Sequence, residues 1–291
     1  MGISDLKTKQ SQETEQAAPV KPHQKIIGLH KLIPNLMTLT ALAAGLTSIQ
    51  YAWDQNWERA VYAILIAVIL DALDGATARL LKATSEFGAQ LDSLSDFLAF
   101  GVAPAIILYS WILEETGKVG WIAMIVFAAA CALRLARFNV TQKELPAWKK
   151  GFFSGVPAPA GAGLGLLPLI LWIQDPRFFE QFAIASPLVA LWMFFVAALM
   201  VSRIPTFSTK MIHLPAKFAM PAMALAALVI AALVHAPWQT LTIAALAYLA
   251  AIPFAISKFR KLQKENGDGE DITDLALGAI VIDDLQSDKE D

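Results

Sequence analysis

Asp-Ala-Leu-Asp-Gly-Ala-Thr-Ala-Arg occupies residues 71–79 of the chain, and Gly88, Asp92 and Asp96 follow it at fixed spacing. Residues 61–70, directly upstream, are apolar and typical of a membrane-embedded helix. A carboxylate at mid-bilayer costs about 2.5–3.5 kcal/mol on insertion scales, so such residues usually have a function. Four carboxylates that converge at the end of an apolar run need cations to neutralise one another. This stretch therefore indicates a helical membrane fold and a bound divalent metal ion.

The composition of the whole chain favours the same class of protein. Of its 291 residues, 56% are hydrophobic and only 16% are charged, whereas soluble proteins carry about 25% charged residues. The formal net charge of −2 offers no case for a nucleic-acid partner. We expect an all-α, polytopic membrane helix bundle. Apolar segments of about 20 residues predict about eight transmembrane helices, at roughly 33–53, 59–80, 91–112, 119–138, 153–173, 182–202, 216–234 and 237–257.

The distribution of basic residues predicts the orientation, because lysine and arginine concentrate in the short cytoplasmic loops of membrane proteins. Loops on the side of the termini are rich in both, while the opposite loops hold only Arg59, Lys118 and Arg177. We expect an integral protein of the inner (cytoplasmic) membrane, with both termini and the aspartate-bearing hairpin in the cytoplasm. The chain then divides into a polar N-terminal segment (1–30), a membrane domain (31–260) and an acidic C-terminal tail (261–291).

Helical geometry groups the residues of the aspartate motif. At about 100° per residue, five of them fall within an arc of roughly 140° on one helix face. They are Asp71, Asp74, Gly75, Ala78 and Arg79. Asp92 and Asp96 share a face of the next helix, and residues 80–87 are long enough for a tight hairpin between the two helices. Hard oxygen ligands in this number suit Mg²⁺ or Mn²⁺ better than zinc.

The ordered pattern D-x2-D-G-x2-A-R-x8-G-x3-D-x3-D is met at every position from residue 71 to residue 96. It resembles the signature of the CDP-alcohol phosphotransferase family, integral membrane enzymes of phospholipid synthesis. The resemblance implies that Asp71, Asp74 and Asp92 hold a two-metal centre, and that Asp96 completes the centre and acts as the catalytic base. The alternative is that four aspartates at helix ends have only a structural role.

The same resemblance implies that the nucleotide lies against the first helix of the hairpin, where Gly75, Ala78 and Arg79 would contact the CDP moiety. The small side chains at two of these positions leave room for a flat base or a phosphate, and arginine offers a forked donor to phosphate oxygens. Asn35 and Thr38, at the start of the first span, would bind nucleotide phosphate or ribose. Alternatively, they satisfy backbone groups at that helix end.

Three further segments, residues 134–139, 153–160 and 199–208, resemble the bacterial branch of this family that accepts L-serine. With residues 32–39 at the first helix, the resemblance extends over residues 30–215 or so. It implies CDP-diacylglycerol and L-serine as substrates, membrane lipids as further partners, and a homodimer. Glycerol 3-phosphate, inositol phosphate and choline stay open as acceptors, although choline would call for an aromatic cage that the motif region does not clearly offer.

Four residues in these segments are candidates for acceptor binding. Arg134 and Arg137, three residues apart at the cytoplasmic end of the fourth span, would clamp the carboxylate of an amino acid or the phosphates of CDP-diacylglycerol. The alternative is that they anchor the helix at the membrane interface. Asn139 and Ser154 are expected to complete the acceptor site.

An ion-coupled transporter is the alternative from another functional class, since carboxylates within a membrane also mark ion pathways. All four aspartates of the motif, however, lie in one hairpin at one face, and a second half of the chain offers no counterpart. This clustering favours an enzyme.

Overall fold

The computed structural model describes residues 32–141, 151–177, 185–207 and 219–266, and helices dominate them. The expected all-α class is therefore confirmed. The helices are α1 (Leu32–Trp53), α2 (Trp57–Leu80), α3 (Glu86–Trp111), α4 (Lys118–Thr141), α5 (Ala158–Gly165), α6 (Leu167–Gln174), α7 (Ala185–Val201), α8 (Ala219–His235) and α9 (Pro237–Asn266). Two short strands, β1 (Phe152–Ser154) and β2 (Pro205–Phe207), accompany them.

Within the described residues, five helices are long and apolar enough to cross a membrane, namely α1, α2, α3, α4 and α9. The chain is thus a polytopic membrane protein, as its composition predicts. Helices α7 and α8 are apolar but shorter, so the expected number of about eight spans stays a prediction. Large apolar side chains point outward from the bundle, among them Leu36, Leu191 and Leu228, each 65% exposed. Such exposure is ordinary where the surroundings are lipid tails.

The predicted fifth span, residues 153–173, is not a single helix. It begins with strand β1 and continues as α5 and α6, two helices of eight residues each. Pro159 and Pro168 lie in the first turns of these helices. Proline lacks a backbone N–H and is disfavoured in a helix interior. The expected single helix over residues 153–173 would place both prolines in its interior, so that expectation was wrong.

The hairpin between α2 and α3 brings the two aspartate-bearing helices together. The side chain of Ser85 caps α3 by accepting a hydrogen bond from the backbone N–H of Gly88 at 3.0 Å. Serine is a favoured residue at this position because its oxygen satisfies an otherwise unpaired donor. The cap makes Glu86 the first residue of α3, and the i, i+4 spacing of Asp92 and Asp96 places both on one face of this helix.

Small residues allow the helices around the hairpin to approach closely. A Cβ atom added to Gly45 on α1 would lie only 2.8 Å from Cα of Ala99 on α3. The segment Phe97–Val102, directly after Asp96, is π-helical, and a Cβ atom on its Gly101 would lie 2.9 Å from Cβ of Cys131 on α4. Helix α3 therefore packs tightly against α1 and α4 next to its last motif aspartate.

Strands β1 and β2 form an antiparallel ribbon in which Phe153 pairs with Thr206. Gly155 follows β1 with a φ of +80°, its N–H donates to the carbonyl of Ile204 at 2.8 Å, and its own carbonyl accepts from the hydroxyl of Thr206 at 2.8 Å. Non-helical backbone in a membrane protein is tolerated where its polar groups are buried in protein and paired. The ribbon meets this requirement through these bonds.

We predict that Gly155→Ala destabilises the protein, because an L-residue at positive φ costs about 1–2 kcal/mol and the new Cβ would lie 2.5 Å from the carbonyl oxygen of Met200. Thermal unfolding in detergent measures the effect. Gly163→Ala is the matched control, since no atom lies within 4 Å of its added Cβ. Equal melting temperatures for the two variants would contradict the tight packing around Gly155.

Candidate metal centre and acceptor site

Three carboxyl groups meet where α2 faces α3. One oxygen each of Asp71, Asp74 and Asp92 lies within 4.8 Å of the others. Asp74 is buried, with 4% of its surface exposed, and the other two are half-buried. Because every ligand atom in this group is a hard carboxylate oxygen, the set is compatible with a hard divalent cation. The three aspartates thus lie close together, as their helical spacing predicts.

Asp96 joins this group through Asp71. It lies one helical turn beyond Asp92, and its carboxyl group is in hydrogen-bonding contact with that of Asp71. Two carboxyl groups in such close contact must share a proton or a cation, because two bare carboxylates repel each other. Asp96 thus borders the group of three. Its carboxyl group also lies within electrostatic range of Arg134 on α4.

Helix α1 supplies a second layer of polar contacts behind the carboxylates. The hydroxyl of Thr38 donates to Oδ2 of Asp74 at 2.6 Å and lies 3.0 Å from the carbonyl oxygen of Pro34. Ser95, buried on α3, donates to the backbone carbonyl of Thr38 at 3.1 Å. Ser95 is not among the residues that the sequence predicts for the site, because its partner lies 57 residues away and the local pattern carries no sign of it.

The candidate nucleotide residues lie on the C-terminal half of α2 and at the start of α1. The guanidinium of Arg79 lies over Gly75, with Nη1 3.5 Å from the position of an added Cβ, and no other neighbouring atom lies within 4 Å of that position. Ala78 is half-buried. Oδ1 of Asn35 would lie 3.0 Å from a Cβ atom added to Gly88, so α1 contacts the hairpin at Gly88. Since only Arg79 borders the space over Gly75 among the described neighbours, a ligand could lie there beside the guanidinium.

Arg134 on α4 is a buried cation next to the carboxylates. Only 7% of its surface is exposed, and it lies within electrostatic range of Asp71 and Asp96. Its guanidinium lies 5.2 Å from the ring centroid of Phe138. An arginine that merely anchors a helix keeps its charged end in water, and Arg134 differs from that description.

Arg137, one turn later, has different surroundings. Its Nη1 donates to the carbonyl of Val201 at 2.7 Å, and its Nη2 lies 2.8 Å from the carbonyl of Ser154 and 3.0 Å from that of Ser202. These acceptors include the last carbonyls of α7, which have no partner within their own helix. Arg137 therefore ties the end of α7 to strand β1, a role that its spacing from Arg134 does not indicate.

The two remaining acceptor candidates, Asn139 and Ser154, contact α3 and Arg137 respectively. The side-chain amide of Asn139 donates to the hydroxyl of Ser93 at 2.9 Å, next to Asp92 on α3. Ser154 lies in β1, where its carbonyl accepts from Arg137. Both residues thus contact elements that carry other candidate residues, and neither contact is local in sequence.

Comparison with known proteins shows which family the chain resembles. The profile of the CDP-alcohol phosphatidyltransferase family matches residues 31–202, and a second profile, CDP-alcohol phosphatidyltransferase 2, matches residues 217–253. The chain is 39% identical over 236 residues to CDP-diacylglycerol–serine O-phosphatidyltransferase of Mycobacterium leprae, covering 80% of this chain and 77% of the relative. The Mycobacterium tuberculosis enzyme of the same name is 37% identical, with 80% of both chains covered. That of Helicobacter pylori is 39% identical over 140 residues, 48% of this chain and 58% of the relative.

We predict that Thr38→Val weakens binding of Mn²⁺ about tenfold or more, the usual effect of removing a hydrogen bond behind a metal ligand. The substitution keeps the shape of the side chain but leaves the buried Asp74 without its donor. Titration of the purified protein with Mn²⁺, followed by electron paramagnetic resonance, measures the change. Thr40→Val is the control, because Thr40 is exposed on the same helix and its hydroxyl donates to the carbonyl of Leu36 within that helix. Equal affinities in the two variants would mean that Thr38 does not support the metal site.

Proposed function

The chain belongs to the CDP-alcohol phosphatidyltransferase family, and from this premise we propose that it transfers the phosphatidyl group of CDP-diacylglycerol to L-serine with release of CMP. The observation that carries the proposal is the similarity, over 80% of the chain, to relatives that bear the name of this reaction. The carboxylate group on α2 and α3 and the buried cation beside it are the chemical features that such a reaction requires.

The metal that we propose is Mg²⁺ or Mn²⁺, in a two-metal centre held by Asp71, Asp74, Asp92 and Asp96. The donor set supports this choice, since it consists of carboxylate oxygens and includes no thiolate or imidazole. When bound, divalent ions stabilise the negative charge that develops on the CMP leaving group.

We assign the nucleotide to the open face of α2. Gly75 and Ala78 leave space for the CDP moiety, Arg79 donates to its phosphate oxygens, and Asn35 borders it from α1. The contact expected between Thr38 and the nucleotide stays a prediction, because the described hydrogen bond of Thr38 supports a role through Asp74.

The reaction is a direct transfer, in which Asp96 accepts the proton of the serine hydroxyl, because an alcohol is too weak an acid to attack unaided. The serine oxygen then forms a bond to the phosphorus of the phosphatidyl group as the bond from that phosphorus to the CMP oxygen breaks. Arg134 holds the serine carboxylate near Asp96. Asn139 and Ser154 border the acceptor, and Arg137 positions the ribbon beside it.

The setting of the enzyme is part of the proposal. The membrane domain, residues 31–260, lies in the inner membrane with the aspartates on its cytoplasmic side. The polar segment 1–30 and the acidic tail 261–291 are both cytoplasmic, and lie largely outside the described residues. By family precedent the enzyme works as a homodimer.

Release of CMP from CDP-diacylglycerol by the purified protein tests the function, with L-serine, glycerol 3-phosphate, inositol phosphate and choline offered separately. We expect L-serine to support turnover far better than the other three, with radiolabelled serine recovered in lipid. Turnover with another alcohol alone would reassign the acceptor. Ion flux in proteoliposomes without any formation of CMP would instead indicate a transporter.

Asp96→Asn is expected to reduce turnover by at least about 10²–10⁴-fold, the usual contribution of a general base. Much of the binding of CDP-diacylglycerol should persist, because the other three aspartates still offer metal ligands. Asp92→Asn, one turn away on the same helix, should instead weaken both turnover and its dependence on divalent cations. Separate measurements of substrate binding and single-turnover chemistry distinguish the two roles. A collapse of nucleotide affinity in Asp96→Asn would make Asp96 chiefly a metal ligand.

Arg134→Lys is expected to raise the KM for L-serine about tenfold while changing the KM for CDP-diacylglycerol much less, because lysine keeps the charge but loses the forked donor. Arg137→Lys is the comparison. It should lower the melting temperature, through loss of the carbonyl contacts at the end of α7, and raise the KM for serine less than Arg134→Lys does. Parallel rises of both KM values in Arg134→Lys would point to general damage or to nucleotide contact.

A further inference from the structure

The hydroxyl group of Tyr248 on α9 is buried without a hydrogen-bond partner among the described residues. Within that part of the chain it is the only buried side-chain oxygen or nitrogen in this condition. Buried polar groups in folded proteins are nearly always paired, and an exception calls for an explanation. Tyr248 lies in an apolar stretch of α9 and belongs to none of the motifs in the sequence.

Helix α9 places Tyr248 at the β-ribbon. The hydroxyl faces Thr206 of β2 but forms no hydrogen bond with it, and the Thr206 hydroxyl donates to the carbonyl of Gly155 at 2.8 Å. Further along α9, the ammonium of Lys258 lies 5.8 Å from the ring centroid of Phe207. Helix α9 thus packs on the ribbon, and the Tyr248 hydroxyl lies at this contact.

Arg134 reaches the same place from α4. The ring of Phe138, over which its guanidinium lies, packs against Phe153 of β1 with centroids 6.0 Å apart. The guanidinium is within electrostatic range of both Tyr248 and Asp96. A hydrogen-bond donor and a buried cation therefore lie near each other, beside the aspartate to which the proposed function gives the serine proton.

Resting on the proposed function, we propose that Tyr248 is an acceptor-binding residue whose hydroxyl donates a hydrogen bond to the carboxylate of the amino-acid acceptor. An ionised carboxylate has two oxygens and accepts several hydrogen bonds, so it can pair with Arg134 and Tyr248 together. A site with this hydroxyl rejects an amino alcohol that lacks the carboxylate, since the Tyr248 hydroxyl would then stay buried without a partner. Tyr248 would thus contribute to the choice of L-serine over ethanolamine.

The test compares the wild type with Tyr248→Phe, which removes only the hydroxyl and keeps the ring. Steady-state release of CMP gives the KM values for L-serine and for CDP-diacylglycerol in each purified protein. We expect the KM for serine to rise about tenfold, as for loss of one hydrogen bond to a charged group, with the KM for CDP-diacylglycerol and the melting temperature unchanged. Tyr109→Phe is the matched control, because Tyr109 packs on Trp121 near the end of α3 and takes no part in the proposed site.

The outcomes separate the two levels of the proposal. Wild-type protein without serine-dependent release of CMP would overturn the proposed function and this inference with it. Wild-type turnover together with an unchanged KM for serine in Tyr248→Phe would overturn this inference alone. A rise of both KM values with a lower melting temperature would make Tyr248 a structural residue, and would equally overturn the assignment.

Discussion

The closeness of several carboxyl groups within an apolar helix bundle is the constraint on which the remainder of the structure depends. Oxygens of Asp71, Asp74 and Asp92 lie within 4.8 Å of one another, and Asp96 contacts Asp71. Two unit charges 4 Å apart repel by about 4 kcal/mol at an effective dielectric constant near 20. Such a group persists as anions only if cations accompany it. The buried Arg134 supplies one of them from the chain itself, and the proposed divalent ions supply the others.

The surrounding helices hold this unfavourable group together. The cap at Ser85 sets the start of α3, and the close approach of Gly45 to Ala99 holds α3 against α1. Thr38 then reaches Asp74 from α1. Each contact is modest by itself, but together they restrict the carboxylates to one arrangement. Ligands positioned by a rigid outer layer bind a metal more tightly than ligands that must first be ordered.

The fifth predicted span begins with a strand, and this strand contacts residues of the candidate site. Because residues 152–154 form a strand rather than a helix, their backbone carbonyls are available to partners outside the segment. Arg137 binds the carbonyl of Ser154, and Thr206 binds that of Gly155. The ribbon therefore lies close to α4 and α9, and the residues of the proposed acceptor site come from helices and strands that are distant in sequence.

The sequence by itself determined the features that depend on local geometry. Helical periodicity places Asp71 and Asp74 on one face, and a short hairpin brings Asp92 opposite them, because turn length and helix pitch are properties of neighbouring residues. Apolar runs likewise determined the helical membrane class and the long spans α1 to α4.

Only the tertiary structure decided which partners the polar side chains of distant segments have. Arg134 and Arg137 look alike in sequence, yet one lies among carboxylates and the other binds carbonyls more than sixty residues away, as well as that of Ser154. The bond from Thr38 to Asp74 spans 36 residues. Such pairs form because packing brings particular helices together, and no periodicity within one segment records which helix will be its neighbour.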